Sequence, residues 1–311
     1  MMQCRAPRGA NGSVSAMDER LCILTVHAHP DDEASKGAGT VARYHSEGVH
    51  AVLVTCTGGE EGEILNPAMN LPEVRADIAS VRAAELARSV EIIGYDEVAL
   101  LGYRDSGMAG SDANSHPDSF AAAPLDEAVG KLVSEIRRTK PQVIVTYGED
   151  HGGYPHPDHI RVHEISVAAF DAAGDGDAYP GAGEPFSPLK LYYTVWSKTR
   201  ILRTHAKFLE LGLESPYDER WLERPDEEEK ITTSIDLRGF EEVRQLALLA
   251  HATQVDPTSK FWFGLPPEVL RTIHPFDDYV LAASRVETEL PEDDLFAGIR
   301  ARRPSHHEPA R

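Results

Sequence analysis

Short apolar runs alternate with longer amphipathic segments over the first half of this 311-residue chain. Nearly continuous apolar strands separated by helices are typical of a mostly parallel sheet with helices on both faces, which is the α/β fold we predict. The predicted strands are 21–27, 50–56, 97–101 and 142–147. The helices predicted between them, from apolar residues at helical spacing, are 35–47, 73–93 and 125–139.

The second half predicts fewer elements, and we expect this C-terminal portion to complete the pocket. The predicted elements are a helix at 158–172, a strand at 190–196, a helix at 239–252 and a late strand at 279–284. The acidic stretch 214–230 is interpreted as a surface loop or cap segment. We predict a single α/β domain over 20–285, a disordered leader at 1–19 and a disordered tail at 286–311, because both ends are rich in small or polar residues.

The net charge and the composition indicate which kinds of molecule the chain can bind. The chain has 51 acidic and 31 basic residues, a formal charge of −20, which disfavours nucleic acid and anionic membranes and favours a small-molecule substrate. No apolar run approaches the length of a membrane span, and the leader lacks an apolar signal segment. The three cysteines, Cys4, Cys22 and Cys56, form no CxxC pair, which favours the cytoplasm and argues against a thiolate zinc site. Nothing in the sequence indicates an oligomeric state.

Two clusters of histidine and aspartate follow two of the predicted strands. HPDDE occupies 29–33 after the first strand, and YPHPDH occupies 154–159 after the fourth. The loops at 57–63 and 104–107 follow the other two strands, and ligands of open α/β sheets bind beyond the carboxyl ends of the strands. We therefore expect one site at this edge. A dinucleotide site is excluded, because no GxGxxG follows the first strand.

A catalytic zinc has three protein ligands and an open position. His29, Asp32 and His159 can supply the three ligands, and prolines beside them restrict the backbone. Two histidines and one carboxylate also suit Fe²⁺. His163, one helical turn after His159, is a rival ligand that we expect to point away from the loops.

Further roles can be proposed for the remaining residues of the two clusters. Asp31 lies between two ligands and can act as the general base on a water molecule. Tyr154 could donate to a developing oxyanion, and His156 could protonate a leaving amine. Asp158 is placed either to orient His156 or to cap the following helix.

Other histidines have simpler explanations. His27 alternates with His29 along the strand, and we expect it to be buried and hydrogen-bonded behind the ligands. The tripeptide at 116–118 and the pair at 274–275 repeat His-Pro, but neither follows an apolar strand. We expect no catalytic role for them.

The two motifs, AHPDDE and GGYPHPDH, resemble those of the LmbE-like, PIG-L-type metal-dependent de-N-acylases, and the resemblance runs from about 21 to 254. It implies a Rossmann-like fold and hydrolysis of an amide on an amino sugar. It also implies that zinc binds His29, Asp32 and His159, that Asp31 is the general base, and that residues 154 and 156 stabilise the transition state.

Within the family, TCTGGEEGEILNPAMNLP and AHATQVDP resemble the amidase branch, which acts on S-conjugates of the thiol mycothiol. This implies cleavage of a cysteinyl–glucosamine amide to a mercapturic acid and glucosaminyl-inositol. Arg82 and Asp105 would bind the sugar–inositol part, and Lys36 would contact the acyl side. Their alternatives are a helix surface charge, a turn former and a solvated side chain.

Two other functions stay open on the sequence. The N-acetylglucosaminyl-inositol deacetylases share RDSGMAG and differ only in the acyl group that they remove. A noncatalytic, metal-dependent sugar-binding protein is disfavoured by Asp31, since a binding site needs no base beside its metal.

Overall fold

The computed structural model describes residues 20–149 and 155–300. The strands within them are β1 (Cys22–His27), β2 (His50–Thr57), β3 (Glu97–Tyr103), β4 (Val143–Tyr147), β5 (Lys190–Val195), β6 (Thr233–Asp236) and β7 (Phe276–Ser284). They form one seven-stranded sheet of order β3-β2-β1-β4-β5-β7-β6. The first five strands pair in parallel, whereas β7 runs antiparallel to both β5 and β6. The predicted mostly parallel α/β sheet is confirmed.

The helices of the described residues are α1 (Asp32–Ser35), α2 (Ala38–Ser46), α3 (Pro72–Ala76), α4 (Ile78–Ile93), α5 (Leu125–Thr139), α6 (Pro157–Ala172), α7 (Lys198–Glu210), α8 (Glu219–Leu222), α9 (Val243–Ala250), α10 (Lys260–Phe263) and α11 (Pro267–Ile273). Short 3₁₀ turns occupy Pro67–Met69, Asp112–Ser115 and Glu228–Lys230. None of these helices has both the length and the apolarity to cross a membrane.

Most predicted elements are observed, and the differences have local causes. The helix predicted at 35–47 is two helices, because Gly37 between them has a left-handed φ of 91° that a continuing helix does not allow. Strand β6 and helices α7, α8, α10 and α11 were not predicted. Strand β6 has only four residues, so its alternation is too short to recognise.

Apolar layers cover both faces of the sheet. On one face α5 and α6 bury Leu132 and Ile165 against the strands. On the other face α2, α4 and α9 contribute Val41, Leu86 and Leu248. The thiols of Cys22 and Cys56 are buried and free, as expected of packing residues. Helices on both faces are therefore confirmed.

The prediction that the chain becomes disordered from residue 286 is wrong for 286–300. Leu295 and Phe296 are fully buried in the core. The buried Glu292 accepts hydrogen bonds from Lys190 Nζ at 2.5 Å and from the Tyr192 hydroxyl at 2.5 Å. The sequence predicts a solvated segment because Glu292 is an acidic residue in a polar stretch, but the buried Lys190 neutralises its carboxylate. The predicted leader at 1–19 and the last residues of the predicted tail, 301–311, lie outside the described residues.

We predict that Glu292→Ala destabilises the protein, since it leaves the Lys190 ammonium buried without its counterion. Breaking a buried ion pair costs about 3–5 kcal/mol. For a chain of 311 residues, with an unfolding entropy of about 2.1 cal/mol/K per residue, this lowers the thermal midpoint by roughly 5–8 °C, measurable by calorimetry. The exposed Glu287 in the same segment is the matched control, and Glu287→Ala should change the midpoint little. Equal midpoints for the two variants would contradict a packed C-terminal segment.

Candidate metal centre and active site

The loops after β1 to β4 meet at one edge of the sheet, because these four strands are parallel. His29, Asp32 and His159 converge there, with ligand atoms within 4.8 Å of one another, and all three are buried. Asp32 Oδ2 lies 3.5 Å from His29 Nδ1 and 3.4 Å from His159 Nε2. The structure thus brings together the three residues predicted as ligands.

These separations fit a tetrahedral metal. Donor atoms about 2.0–2.2 Å from a tetrahedral centre lie roughly 3.3–3.6 Å apart, which matches the two measured distances. Asp158 Oδ2 lies 3.1 Å from the other ring nitrogen of His29, Nε2. A proton held there leaves Nδ1 as a lone-pair donor facing Asp32, which is the tautomer that a ligand requires.

The rival histidine, His163, lies elsewhere. Its Nδ1 is 3.0 Å from the Tyr147 backbone carbonyl oxygen, and its ring packs beside Tyr193. Two potential metal-binding groups occur among the described residues, and His163 belongs to neither. One is the predicted set, and the other consists of His29, Asp105, His156 and Asp158. The position of His163 therefore agrees with the preference for His159.

Asp31 has an unusual backbone conformation. It caps helix α1 with a left-handed φ of 116°, which for a residue other than glycine costs about 1–3 kcal/mol. Its backbone N–H donates to Glu33 Oε2 at 2.8 Å. Burial raises the pKa of Asp31, against the opposing charge of Arg82 and with the help of the nearby Asp32 carboxylate. A carboxylate with a raised pKa beside a ligand set suits a general base.

Arg82 holds this loop from behind. Its guanidinium donates to Gly59 O, Pro30 O and, at 3.1 Å, Asp31 Oδ2, so it joins the loops after β1 and β2. Because Arg82 on α4 is only 2% exposed, its alternative as a helix surface charge is wrong. The guanidinium of Arg82 thus binds the loops of the site, and its contact with the sugar–inositol part of a substrate stays a prediction.

Lys36 contacts the ligand set directly. Its ammonium lies 2.6 Å from Asp32 Oδ1, the carboxylate oxygen that does not face the histidines. Although burial alone would raise it, the pKa of Asp32 is held well below its usual range by Lys36 and His159. The alternative of a solvated lysine is therefore wrong, since its side chain is 11% exposed. Its role on the acyl side stays a prediction.

Asp105 and Asp158 face the outer nitrogen of His29. Asp158 accepts hydrogen bonds from both the backbone N–H and the hydroxyl of Ser106, and Asp105 accepts from Gly107 N at 2.8 Å. Asp105 Oδ1 is 3.5 Å from His29 Nε2. Burial opposes a charge on His29, but its hydrogen bonds to Asp105 and Asp158 raise its pKa. Asp105 is therefore more than a turn former.

His156, and not Asp158, caps helix α6. Its Nδ1 accepts from the Asp158 backbone N–H at 3.2 Å, so the interpretation of Asp158 as the helix cap is wrong. Asp158 Oδ2 is 3.1 Å from His29 Nε2 and 3.9 Å from His156 Nδ1, so this carboxylate is within hydrogen-bond distance of His29 and not of His156. Burial and then His29 lower the pKa of His156 to about 4. Tyr154 lies outside the described residues.

The site also contains residues that the sequence did not indicate. Glu33 lies 2.6 Å from His251 Nε2 and accepts from the Ser89 hydroxyl at 2.5 Å, although His251 is 218 residues away. The Tyr147 hydroxyl accepts from the Ala28 backbone N–H and lies 3.2 Å from His27 Nδ1, which confirms His27 as a buried residue behind the ligands. The motif AHATQVDP, which begins at residue 250, was the only signal for His251.

The chain is similar to known amide hydrolases over most of its length. Residues 24–170 match the model of the PIG-L family, described as GlcNAc-PI de-N-acetylase. A mycothiol S-conjugate amidase of Streptomyces coelicolor is 46% identical over 91% of this chain and 99% of its own length. A 1D-myo-inositol 2-acetamido-2-deoxy-alpha-D-glucopyranoside deacetylase of Rhodococcus erythropolis is 41% identical over 90% of this chain and 98% of its own.

A solved structure shares the fold. The N,N′-diacetylchitobiose deacetylase of Pyrococcus horikoshii aligns with a TM-score of 0.57 over 84% of this chain and 83% of its own length, at 16% identity. At that identity the likeness concerns the fold alone. Two enzymes are more than 40% identical to this chain over about nine tenths of its length, and the family model matches as well. The chain therefore belongs to the PIG-L family and is a hydrolase of amide bonds.

Proposed function

We propose that this chain is a zinc-dependent amidase that hydrolyses the cysteinyl–glucosamine amide of mycothiol S-conjugates. The products are a mercapturic acid and glucosaminyl-inositol, so the reaction is a detoxification step. The observation that carries the proposal is the 46% identity to a mycothiol S-conjugate amidase over nearly the whole chain. The scattered cysteines and acidic surface support a cytoplasmic enzyme with a small-molecule substrate.

His29, Asp32 and His159 are proposed to hold the metal. When bound, zinc polarises the scissile carbonyl and lowers the pKa of water. Asp158 orients His29 through the 3.1 Å contact with Nε2, and Lys36 holds the second oxygen of Asp32 at 2.6 Å. These contacts fix the directions of two of the three donors before any metal binds.

Asp31 is proposed to accept the proton of the attacking water. Its side chain is 29% exposed, so it can reach a substrate, whereas the ligands beside it are buried. Arg82 binds the same carboxylate from the protein side at 3.1 Å. This contact, together with the hydrogen bond from the Asp31 backbone to Glu33, keeps the base at one position relative to the ligands.

His156 is proposed to protonate the leaving amine. Burial and then the charge of His29 lower its pKa, whereas Asp158 and Asp105 act in the opposite direction. A bound divalent metal would place its own positive charge beside this histidine. The two carboxylates, each with an oxygen 3.9 Å from a ring nitrogen of His156, are the groups that favour its protonated form. Tyr154 keeps its proposed role as donor to the oxyanion.

The substrate-binding proposals differ in how they fit the geometry. Asp105 lies beside His29 and His156, so its carboxylate can accept a hydrogen bond from a sugar hydroxyl next to the reacting amide. Arg82 lies behind the loop, so its effect on sugar binding would pass through Asp31 and Gly59. Lys36 binds Asp32 Oδ1, on the side of this carboxylate that faces away from the two histidines, and we place the acyl group on that side.

The second candidate is the deacetylase reaction on N-acetylglucosaminyl-inositol, which the 41% identity to such an enzyme supports. The two reactions use the same ligands, base and leaving amine. They differ only in the acyl group, so substrate preference alone distinguishes them.

We expect His159→Ala to lose most of its bound metal, because it removes one of three donors, whereas His163→Ala keeps about one equivalent per chain. Elemental analysis of dialysed protein measures both and also identifies zinc or iron. Circular dichroism controls for folding. Metal loss in His163→Ala with retention in His159→Ala would reverse the ligand assignment.

Asp31→Asn should keep its metal and lose activity by about 10²–10⁴-fold, the usual contribution of a positioned general base. The measurement is kcat on an S-conjugate together with metal content on the same sample. A parallel loss of metal would make Asp31 a ligand or a loop-forming residue. Activity close to that of the unmodified enzyme would reject the role of base.

The unmodified enzyme should have a kcat/KM at least about tenfold higher for an S-conjugate of mycothiol than for N-acetylglucosaminyl-inositol, equivalent to about 1.4 kcal/mol of additional transition-state binding by the larger acyl group. Both substrates are assayed on one metal-loaded preparation. The opposite preference would establish the deacetylase reaction. Binding of both sugars with no turnover of either would indicate the noncatalytic sugar-binding protein.

A further inference from the structure

The conformation of Asp31 depends on a hydrogen bond to a residue two positions later. Its φ of 116° lies in the left-handed region, which residues other than glycine rarely adopt, and its backbone N–H donates to Glu33 Oε2 at 2.8 Å. A strained residue keeps such a conformation only where the surrounding structure fixes it on several sides. Any group that holds the Glu33 carboxylate therefore also acts on the position of Asp31.

The Glu33 carboxylate is held from the C-terminal half of the chain. Glu33 is 1% exposed, and its other oxygen, Oε1, accepts a hydrogen bond from the Ser89 hydroxyl at 2.5 Å and lies 2.6 Å from His251 Nε2. His251 is fully buried, and its Nδ1 has no hydrogen-bond partner among the described residues. With Nε2 as the donor, Glu33 is the described group that fixes the orientation of this imidazole ring.

The chain after α9, residues 251–255, is itself anchored beside the site. The backbone N–H and the hydroxyl of Thr253 both donate to the Glu85 carboxylate on α4, at 2.9 and 2.7 Å. The Thr253 carbonyl oxygen accepts from the backbone N–H of Leu65, in the loop after β2, at 2.8 Å. His251 thus projects from a backbone that is tied to two other elements, and its ring is kept at one position.

Arg82 and His251 restrain different atoms of the metal loop, which we define as residues 29–33. Arg82 donates to the Asp31 carboxylate and to the Pro30 carbonyl oxygen, whereas His251 acts through Glu33 on the Asp31 backbone N–H. Restraints on both the backbone and the side chain fix the direction in which the Asp31 carboxylate points. His251 belongs to neither potential metal-binding group of the described residues, so this contact is not that of a ligand.

We propose that His251 is a positioning residue for Asp31, and that through Glu33 it holds the Asp31 carboxylate where it can take the proton of the attacking water. This inference rests on the proposed function for the role of Asp31 as the base. A displacement of about 1 Å at a reacting group can cost about 10²-fold in rate. Loss of His251 therefore slows the chemical step although His251 itself contacts neither substrate nor water.

Steady-state kinetics on metal-loaded enzyme test this role. We expect His251→Ala to lower kcat on an S-conjugate about 10–100-fold while KM and metal content stay close to those of the unmodified enzyme. His251→Gln should recover most of the lost kcat, because its side-chain amide can donate to the same carboxylate oxygen. An unchanged kcat in His251→Ala, a loss of metal, or a Gln variant as slow as the Ala variant would overturn the proposal.

A second histidine of the C-terminal half provides the matched control. His274 Nε2 lies 2.7 Å from Asp278 Oδ2, and its Nδ1 also has no hydrogen-bond partner among the described residues. His274→Ala removes the same kind of histidine–carboxylate contact away from the metal loop. Its kcat should be unchanged even where its thermal midpoint falls as far as that of His251→Ala. Equal losses of kcat in the two variants would mean general loosening of the C-terminal half, and would reject the positioning role.

Hydrogen exchange measures the position of Asp31 without turnover. In metal-loaded protein we expect the Asp31 backbone amide to exchange about tenfold faster in His251→Ala, since the hydrogen bond to Glu33 is weakened. The exchange rate should stay unchanged in His251→Gln and in His274→Ala. Equal exchange of this amide in the unmodified protein and in His251→Ala would overturn the proposal.

The variant Asp31→Asn separates this inference from the proposed function. In the Asp31→Asn protein, His251→Ala should lower the residual kcat little further, because the two residues act as one unit. A full additional loss would show that His251 acts apart from Asp31, and would reject the inference. If Asp31→Asn keeps its activity, the proposed base fails, while hydrogen exchange still decides whether His251 holds Asp31. If Asp31→Asn is inactive and His251→Ala is as fast as the unmodified enzyme, the base stands and the positioning role fails.

Discussion

Concentrated negative charge is the constraint on which this site depends. Five carboxylates meet at the edge where β1 to β4 end, and four of them are buried, namely Asp32, Glu33, Asp105 and Asp158, with Asp31 beside them. A buried charge costs several kcal/mol unless it is paired and hydrogen-bonded. Arg82, Lys36 and His251 each bind one carboxylate. The remaining charge faces His29 and the proposed ligand positions, where a divalent cation would offset it.

The pairing of these charges also fixes the backbone. Asp31 has a left-handed conformation that opposes folding, and the loop keeps it because Glu33 accepts its N–H while Arg82 holds its carboxylate and the carbonyl of Pro30. Each of these two side chains belongs to a wider network. Glu33 contacts His251 and Ser89, so helix α4 and the segment after α9 both support the position of Asp31. Strain at Asp31 is therefore balanced by contacts from distant parts of the chain.

The difference between what could and could not be predicted follows the range of the interactions. The parallel sheet and the meeting of His29, Asp32 and His159 were predictable, because strand patterns are local and the carboxyl ends of parallel strands share an edge. The partner of Asp158 was not, since a carboxylate two residues from His156 instead binds a histidine 129 residues away. Likewise, the sequence left open a solvated charge for Lys36 and a helix surface charge for Arg82, and only the fold shows which carboxylates they bind. Glu292 was predicted to be solvated for the same reason, because its partner Lys190 is 102 residues away in the sequence.

The two halves of the sheet contribute unequally to the site. Strands β1 to β4 are parallel, and the loops and helices after them carry every residue proposed to act on the amide, whereas β5 to β7 form the mixed edge of the sheet. The C-terminal half still reaches the site, because His251 after α9 binds Glu33, which accepts the Asp31 backbone N–H. Asp277 on β7 also accepts a hydrogen bond from Thr40 of α2 at 3.0 Å and pairs with one arginine of α7 and one of α9. The helix that follows the metal loop is therefore tied to the C-terminal helices. Changes in the C-terminal half can shift the proposed base and the start of α2, while the three proposed ligands, held from the parallel half, keep their positions.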